Sequence, residues 1–333
     1  MLWVDPCPTR FPSLSDIRRF GARGGRENEA ALPWLRVIRP AAIPVEPLPG
    51  SGWVNALVWR SALREIRAFG RRKDCLLAVG KPSLLALAVL EQLKGSRSVY
   101  DAMDDFPAFY TGFSRWAMRR RERMLVRGVD VVLASSRAVR SRLSGIRNDV
   151  RLVHNGLDEK ALPRPGRSPA TGERMVLGYV GTIAPWFDWE WVTALATARP
   201  GYAVRLIGPV FSPAPAGLPG NVEMLPPCSH RTAVSAMREF DVGLIPFRKN
   251  EVTASVDPIK YYEYRALGLP VVSTDFGEMV HRSGEEGVFL SRGPEDIAGP
   301  LERALLYEAD IESVLAFRAY NTWGARFDAA NII

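Results

Sequence analysis

DPIKYYEYRALGLPVVST, residues Asp257 to Thr274, joins a helix start, a phosphate-sized group of polar side chains and a helix stop in one short stretch. Asp257 is a good N-cap and Pro258 suits the first helical position, so a helix is expected to open here with several backbone N–H groups unpaired. Lys260 falls in that first turn, where a cation opposes the helix dipole. Glu263, three residues on, gives the less favourable order for a helical ion pair. Both features suit an external anion as the partner of Lys260. Lys260 and Glu263 also share a face, which suits a cation on a diphosphate and a carboxylate accepting hydrogen bonds from ribose hydroxyls. Gly268 and Pro270 end the helix, and Val271 to Thr274 reads as a buried strand. The same residues equally fit an ordinary amphipathic helix in which Tyr261, Tyr264 and Leu267 pack and Lys260 is solvated.

Outward from this stretch, short apolar runs alternate with helical patterns in two series. In the first half they are Leu2 to Val4, Trp34 to Ile38, Cys75 to Val79, Ser98 to Tyr100, Val129 to Ala134 and Val150 to Val153. In the second half they are Met175 to Val180, Ala203 to Ile207, Val222 to Leu225, Val242 to Pro246, Val271 to Thr274 and Gly287 to Leu290, with helices at 189–198, 231–239, 258–267 and 295–306. This alternation predicts an α/β chain with two parallel, doubly wound sheets. The Pro-, Gly- and Ser-rich LPRPGRSPATGE divides them, giving a first domain over 1–162, a linker over 163–173 and a second domain over 174–333. Ligands of such sheets bind outside the carboxyl ends of strands, and between two such domains the cleft is the expected site. One irregularity stands at the start: Leu2 to Val4 is followed by the turn-rich DPCPTRFPS, so the usual opening strand-loop-helix unit is missing. Either the domain is reduced or the true chain begins upstream. The glycine-rich Gly21 to Glu29 follows no convincing strand and reads as a loop rather than a phosphate cradle.

Composition narrows the function classes. With 333 residues and 47% hydrophobic content, the chain can bury two cores. Cys7, Cys75 and Cys228 are far apart and form no CxxC pair, and the three histidines are scattered, so neither a disulfide framework nor a structural metal site is expected. A reducing cytoplasm fits best. No run approaches the roughly 20 apolar residues of a membrane span. Residues 1–170 carry 30 Lys and Arg against 16 Asp and Glu, whereas 171–333 carry 14 against 20. A basic first half calls for an acidic partner. Its densest patch, RWAMRRRERMLVR from Arg115 to Arg127, interleaves arginines with Trp116, Met124, Leu125 and Val126, which suits a helix on an anionic membrane surface as well as a plain solvated face. No nucleic-acid recognition module accompanies it, so nucleic acid is not expected as a partner.

Four segments carry a resemblance: YDAMDDF from Tyr100, VHNGLD from Val153, GYVGTIAPWFD from Gly178, and DVGLIPF from Asp241 leading into SVDPIKYYEYRALGLPVVST. In this order they resemble GT-B glycosyltransferases, particularly bacterial polysaccharide-assembly enzymes of the teichuronic-acid and exopolysaccharide type, over nearly the whole chain. The resemblance implies two Rossmann-like domains facing across a cleft, and transfer of a hexosyl or uronosyl group from a nucleoside diphosphate sugar, without metal or other cofactor, to a lipid-linked or polysaccharide acceptor. The acceptor would sit mostly on the first domain. The protein would be cytoplasmic, peripheral on the inner face of the cell membrane. In the resembling fold the last helix crosses back to the first domain, with Trp323 and Phe327 as its packing face.

Carried onto this sequence, the resemblance gives Lys260 the diphosphate or sugar, Glu263 the ribose, and Gly181 and Thr182 the phosphate or transferred sugar, with Asp257 and Tyr261 beside them. Physical chemistry agrees for Gly181-Thr182, since glycine lets backbone approach a ligand and the pair offers N–H and hydroxyl donors. The loop PPCSHRT would lie near the nucleobase, with His230 and Arg231 as contacts. Asp101, Asp104 and Asp105 cluster after a strand of the first domain. Asp104 and Asp105 are the candidates for a general base that takes the acceptor proton, a helix cap or turn being the alternative. Two departures bear on mechanism. Ser255 stands where many retaining members hold a Glu, and GTIAPWFD lacks their Arg and Lys. Both favour an inverting enzyme. A degenerate, non-catalytic assembly subunit and a nucleotide-sugar epimerase of the same fold remain as alternatives.

Overall fold

The computed structural model describes residues 1–6, 32–40, 50–71, 74–166 and 174–332. Cys7 and Gly21 to Glu29 lie outside the described residues, as do residues 167–173 of the expected linker. By internal contacts the chain divides into two units, one of Met1–Ala134 with Val139–Arg151, the other of Ser135–Ala138 with Leu152–Ile333.

The first unit opens with β1 (Leu2–Val4), which pairs in parallel with β2 (Arg36–Ile38) in a two-stranded sheet of their own. Then come α1 (Ser51–Val58), α2 (Arg60–Gly70), β3 (Leu76–Val79), α3 (Leu84–Gln92), β4 (Arg97–Ala102), α4 (Gly112–Gly128), β5 (Val131–Ala134), α5 (Arg137–Ser144) and β6 (Arg151–Leu152). Strands β3 to β6 form a four-stranded sheet in that order, with β3, β4 and β5 parallel. The opening strand expected from the sequence therefore exists, but its partner is β2 and not the main sheet. Tyr100 and Val132 from the strands meet Leu125 and Val126 from α4 in the core of this unit. The pattern follows from the sequence of α4, whose apolar Leu125 and Val126 recur with Ala117 and Met118 on one face.

The second unit contains β7 (Val176–Val180), α6 (Trp189–Ala198), β8 (Ala203–Ile207), β9 (Val222–Leu225), α7 (His230–Met237), β10 (Val242–Ile245), α8 (Ile259–Ala266), β11 (Val271–Thr274), β12 (Val288–Ser291), α9 (Ala298–Leu305), α10 (Ile311–Tyr320) and α11 (Trp323–Ala329). Its six parallel strands run in the order β12-β11-β10-β7-β8-β9. Every residue of β7 is buried, and alternate side chains enter two separate clusters. Val176 and Val180 join Phe240, Tyr261 and Tyr264, while Leu177 and Tyr179 join Trp191, Val204 and Leu301. A strand covered on both faces reads as an unbroken apolar run, which is why these strands were visible in the sequence. Strand order reverses between β7 and β10, and at such a switch point ligands bind beyond the carboxyl ends of the strands.

The segment after β6, which the sequence reading places with the first domain, is built into the second unit. Leu157 is buried there, its N–H donates to Asn321 O at 2.9 Å, and its carbonyl accepts from Trp323 N at 3.1 Å. Trp323 and Phe327 stack on α11 with centroids 5.8 Å apart.

Candidate active site

Helix α8 is set close over the switch point by a glycine. A Cβ added at Gly243 of β10 would lie 2.4 Å from the ring of Tyr264, so only glycine lets that ring rest on the strand. Tyr264 then accepts a hydrogen bond from the Val180 N–H at 3.1 Å, pinning the helix to the end of β7. At its other end the helix stops as expected. Gly268 takes φ +79°, its N–H donates to Arg265 O at 3.0 Å, and the Leu269 N–H donates to Tyr264 O at 3.0 Å, the paired closure that a left-handed glycine permits.

The helix start corrects the sequence reading. Asp257 does not cap the helix: Pro258 occupies the cap position with no side-chain cap, and the Asp257 carboxylate turns inward. There it accepts from Asn155 N at 2.7 Å, Tyr262 Oη at 2.9 Å and the Arg282 guanidinium at 2.5 Å, with its side chain fully buried. Burial opposes its ionisation, but the His154 imidazole and the Arg282 charge and hydrogen bond outweigh this and hold the carboxyl below its ordinary range. Asn155 Nδ2 also donates to the Asp257 carbonyl at 2.6 Å. The VHNGLD motif therefore acts by tying its own loop to the start of α8. Local capping preference gave way because a carboxylate gains more from a buried cation and two further donors than from one cap bond. Tyr261 is likewise internal, with its hydroxyl donating to Glu285 and its ring under the Arg282 guanidinium, 3.8 Å from the ring centroid.

A second cluster adjoins this one. Glu278, nearly inaccessible, accepts from the Arg137 backbone N–H at 2.5 Å and its guanidinium at 2.6 Å, and His154 Nε2 lies 3.7 Å from the same carboxylate. Sequence reading missed Arg137, His154, Tyr262, Glu278 and Arg282 as a group. The visible signal was the spacing of the oppositely charged Glu278 and Arg282, four apart.

Lys260 and Glu263 share a face as expected, but in this structure the partner of Lys260 is Glu263 itself and not the external anion that the helical order suggested. The Lys260 ammonium donates to Glu263 Oε2, in spite of the unfavourable helical order. Glu263 Oε1 meets His230 Nε2 at 3.0 Å. His230 thus reaches α8 itself, whereas Arg231 is exposed on α7. At the end of β7, Gly181 and Gly208 pass so closely that a Cβ on Gly208 would lie 2.0 Å from the Gly181 carbonyl oxygen. Tyr179 Oη donates to the Thr182 carbonyl at 3.0 Å and props this turn from below. Ser255 is buried, with its hydroxyl donating to Val252 O at 3.3 Å, so no carboxylate occupies that position.

In the first unit the two candidate aspartates differ. Asp105 Oδ1 lies 3.2 Å from Arg142 Nε, and Arg142 also holds the buried Glu122, which accepts from Tyr100 Oη at 2.9 Å. Among the described residues no cation pairs with Asp104. Burial, and then the neighbouring Asp105 charge, push its carboxyl up to about 6. Asp101, at the same strand end, is raised by burial alone.

Comparison with known proteins gives one kind of answer for sequence and another for fold. No family model matches the chain. A curated relative, the "Putative teichuronic acid biosynthesis glycosyltransferase TuaH" of Bacillus subtilis (strain 168), is 27% identical over 218 residues, covering 59% of this chain and 53% of the relative. The match thus spans about half the length of that relative. Among solved structures, Anabaena HepE in complex with UDP and glucose superposes with a TM-score of 0.65 at 17% identity, covering 89% of this chain and 85% of HepE. Sucrose-phosphate synthase from Thermosynechococcus elongatus gives 0.64 at 14% identity, covering 90% and 82%. The lipopolysaccharide outer core galactosyltransferase WaaB gives 0.56 at 12%, covering 91% and 85%. The chain therefore has the GT-B fold, two parallel doubly wound sheets in tandem, and its sequence resembles a polysaccharide-assembly glycosyltransferase.

Proposed function

We propose that this chain is a glycosyltransferase that moves a hexosyl or uronosyl group from a nucleoside diphosphate sugar to a hydroxyl of a polysaccharide or lipid-linked glycan precursor in cell-surface polysaccharide synthesis. The observation that carries this reading is the bond from Val180, at the end of β7, to Tyr264 of α8, which sets the helix carrying the Lys260–Glu263 pair at the strand end that the Gly181-Thr182 turn directly follows. Lys260 and the first-turn N–H groups of α8 meet the diphosphate, Glu263 accepts from the ribose hydroxyls, and Gly181 and Thr182 offer backbone and hydroxyl donors to phosphate or sugar. Asp257 and Tyr261 support this site from the interior.

In this reading Asp104 takes the proton of the acceptor hydroxyl as its oxygen bonds to the anomeric carbon. The bond from that carbon to the diphosphate breaks, and the diphosphate leaves with the electron pair, stabilised by Lys260. Charge stabilisation by Lys260 and α8 serves without a metal. With Ser255 in place of a carboxylate, direct displacement inverts the anomeric configuration, which product NMR would report.

The exposed face of α4 supports a peripheral, cytoplasmic position on an anionic membrane. Phe113 and Trp116 stack with centroids 5.2 Å apart, and exposed Arg119, Arg120, Arg123, Met124 and Arg127 accompany them, while Glu122 is buried. No helix among the described residues is long and apolar enough to cross a membrane.

A donor-hydrolysis screen across nucleotide-sugars tests the reading. Slow release of one sugar, lost in Lys260→Ala, is the expected result. No hydrolysis of any donor, with or without glycan acceptors, would favour the degenerate assembly subunit instead, and conversion of a donor sugar without acceptor would identify an epimerase.

A further inference from the structure

Glu263 is gripped on both oxygens. Oε2 accepts from Lys260, and Oε1 lies 3.0 Å from His230 Nε2. An ionised carboxylate only accepts hydrogen bonds, so His230 donates through Nε2. Glu263 is almost wholly buried, its side chain 10% exposed, while the His230 side chain is 56% exposed and arrives from the first turn of a different helix, α7. Within α8 alone, Lys260 would draw the carboxylate toward the helix start. The His230 bond holds the other oxygen, and two contacts, one on each oxygen, restrict the rotation of the group.

Each carboxylate oxygen has two acceptor sites. Lys260 and His230 use one on each, which leaves one on each for a ligand. A pair of adjacent cis hydroxyls supplies two donors in a matching arrangement. We propose that His230 is a positioning residue that sets the Glu263 carboxylate to receive a cis-diol, and so makes the site discriminate nucleotides with an intact ribose from those lacking ribose hydroxyls. This rests on the nucleotide-sugar reading above and adds to it a role that does not involve the nucleobase. His230 acts through Glu263 and needs no contact with the ligand.

The test compares UDP with 2′,3′-dideoxy-UDP, and GDP with 2′,3′-dideoxy-GDP, by titration calorimetry on the wild-type chain, His230→Ala and His230→Gln. A hydrogen bond to a charged group is worth enough that its loss is expected to weaken the ribonucleotide roughly tenfold. The dideoxy ligand should change by less than about twofold, because its binding makes no use of Glu263. His230→Gln, whose amide can donate from a similar reach, should recover most of the loss. Equal weakening of both ligands in His230→Ala, or no weakening of either, overturns the positioning role while leaving nucleotide binding intact. Failure of the wild-type chain to bind any of the four ligands overturns the nucleotide-sugar reading itself, and the positioning role with it.

Discussion

Arg142 Nε lies 3.2 Å from Asp105 Oδ1, and this contact gives two adjacent carboxylates different surroundings. Arg142 keeps Asp105 engaged together with buried Glu122. Asp104, half-buried and without such a cation, has its carboxyl pushed up to about 6 by burial and by the Asp105 charge, toward the range that suits a general base.

Activity should therefore rise with pH through about 6, as Asp104 loses its proton and becomes a base. Asp104→Asn is expected to lower kcat by about 100-fold or more and to remove this limb of the pH profile. Asp105→Asn should lose less and keep the limb. Stability moves the other way. The folded pKa of Asp104 lies above its unfolded value of about 3.9, so its contribution is fully present below about pH 4 and is lost as pH rises through about 6. At pH 8 the Asn variant should consequently be more stable than wild type, by about 3 kcal/mol at most. Thermal melts of the two proteins at about pH 5 and 8 check the sign.

The Asp257–Arg282 pair, with side chains 0% and 7% exposed, gives a contrasting prediction. Arg282→Met strands a buried carboxylate and should destabilise the second unit by about 3–5 kcal/mol, whereas the double variant with Asp257→Asn should lose much less. Denaturant titrations followed by tryptophan fluorescence, to which the fully buried Trp191 of that unit contributes, report the difference. Because the folded pKa of Asp257 is depressed, its contribution is present above about pH 4 and disappears as acid takes the pH down through the folded value. Asp257→Asn should abolish that acid-dependent part of the stability.

The α4 face predicts lipid binding that depends on both charge and aromatic surface. Vesicles containing phosphatidylglycerol should retain the protein in sedimentation assays at low salt, and phosphatidylcholine vesicles should not. Each arginine near an anionic surface is worth about 1 kcal/mol, so changing Arg119, Arg120 and Arg123 to Gln should weaken binding by roughly 100-fold. Phe113→Ala with Trp116→Ala should weaken it at all salt concentrations, since buried apolar area is not screened. Equal retention by both vesicle types would contradict this surface role.

How much of this was legible in the sequence follows from the range of the interactions involved. Val176 to Val180 reads as a strand because all five residues are buried, and Gly268 reads as a helix stop because its φ of +79° suits glycine. That Lys260 and Glu263 share a face is legible from their spacing on one helix turn, but their direct bond is not, since the helical order argues against it. Asp257 was misread as a cap because the groups that claim it, Arg282 and Asn155, stand 25 and 102 positions away. His230 was placed beside a nucleobase by loop order, and its bond to Glu263 joins positions 33 apart. Local pattern carries propensity and periodicity, but it holds no record of which buried charge a distant segment will bring.

Ligand-linked melting tests the central claim most directly. UDP, GDP and TDP are each added to the wild-type chain and to Lys260→Ala, and unfolding is followed by calorimetry. A ligand at about 100 times its Kd stabilises the folded state by about 2.7 kcal/mol, which for a unit of this size is a rise of several degrees. The expected result is such a rise for at least one nucleoside diphosphate with the wild-type chain and its loss in Lys260→Ala. Unchanged melting of the wild-type chain with all three, or an equal rise in Lys260→Ala, would contradict the assignment of this site to a nucleotide-sugar donor.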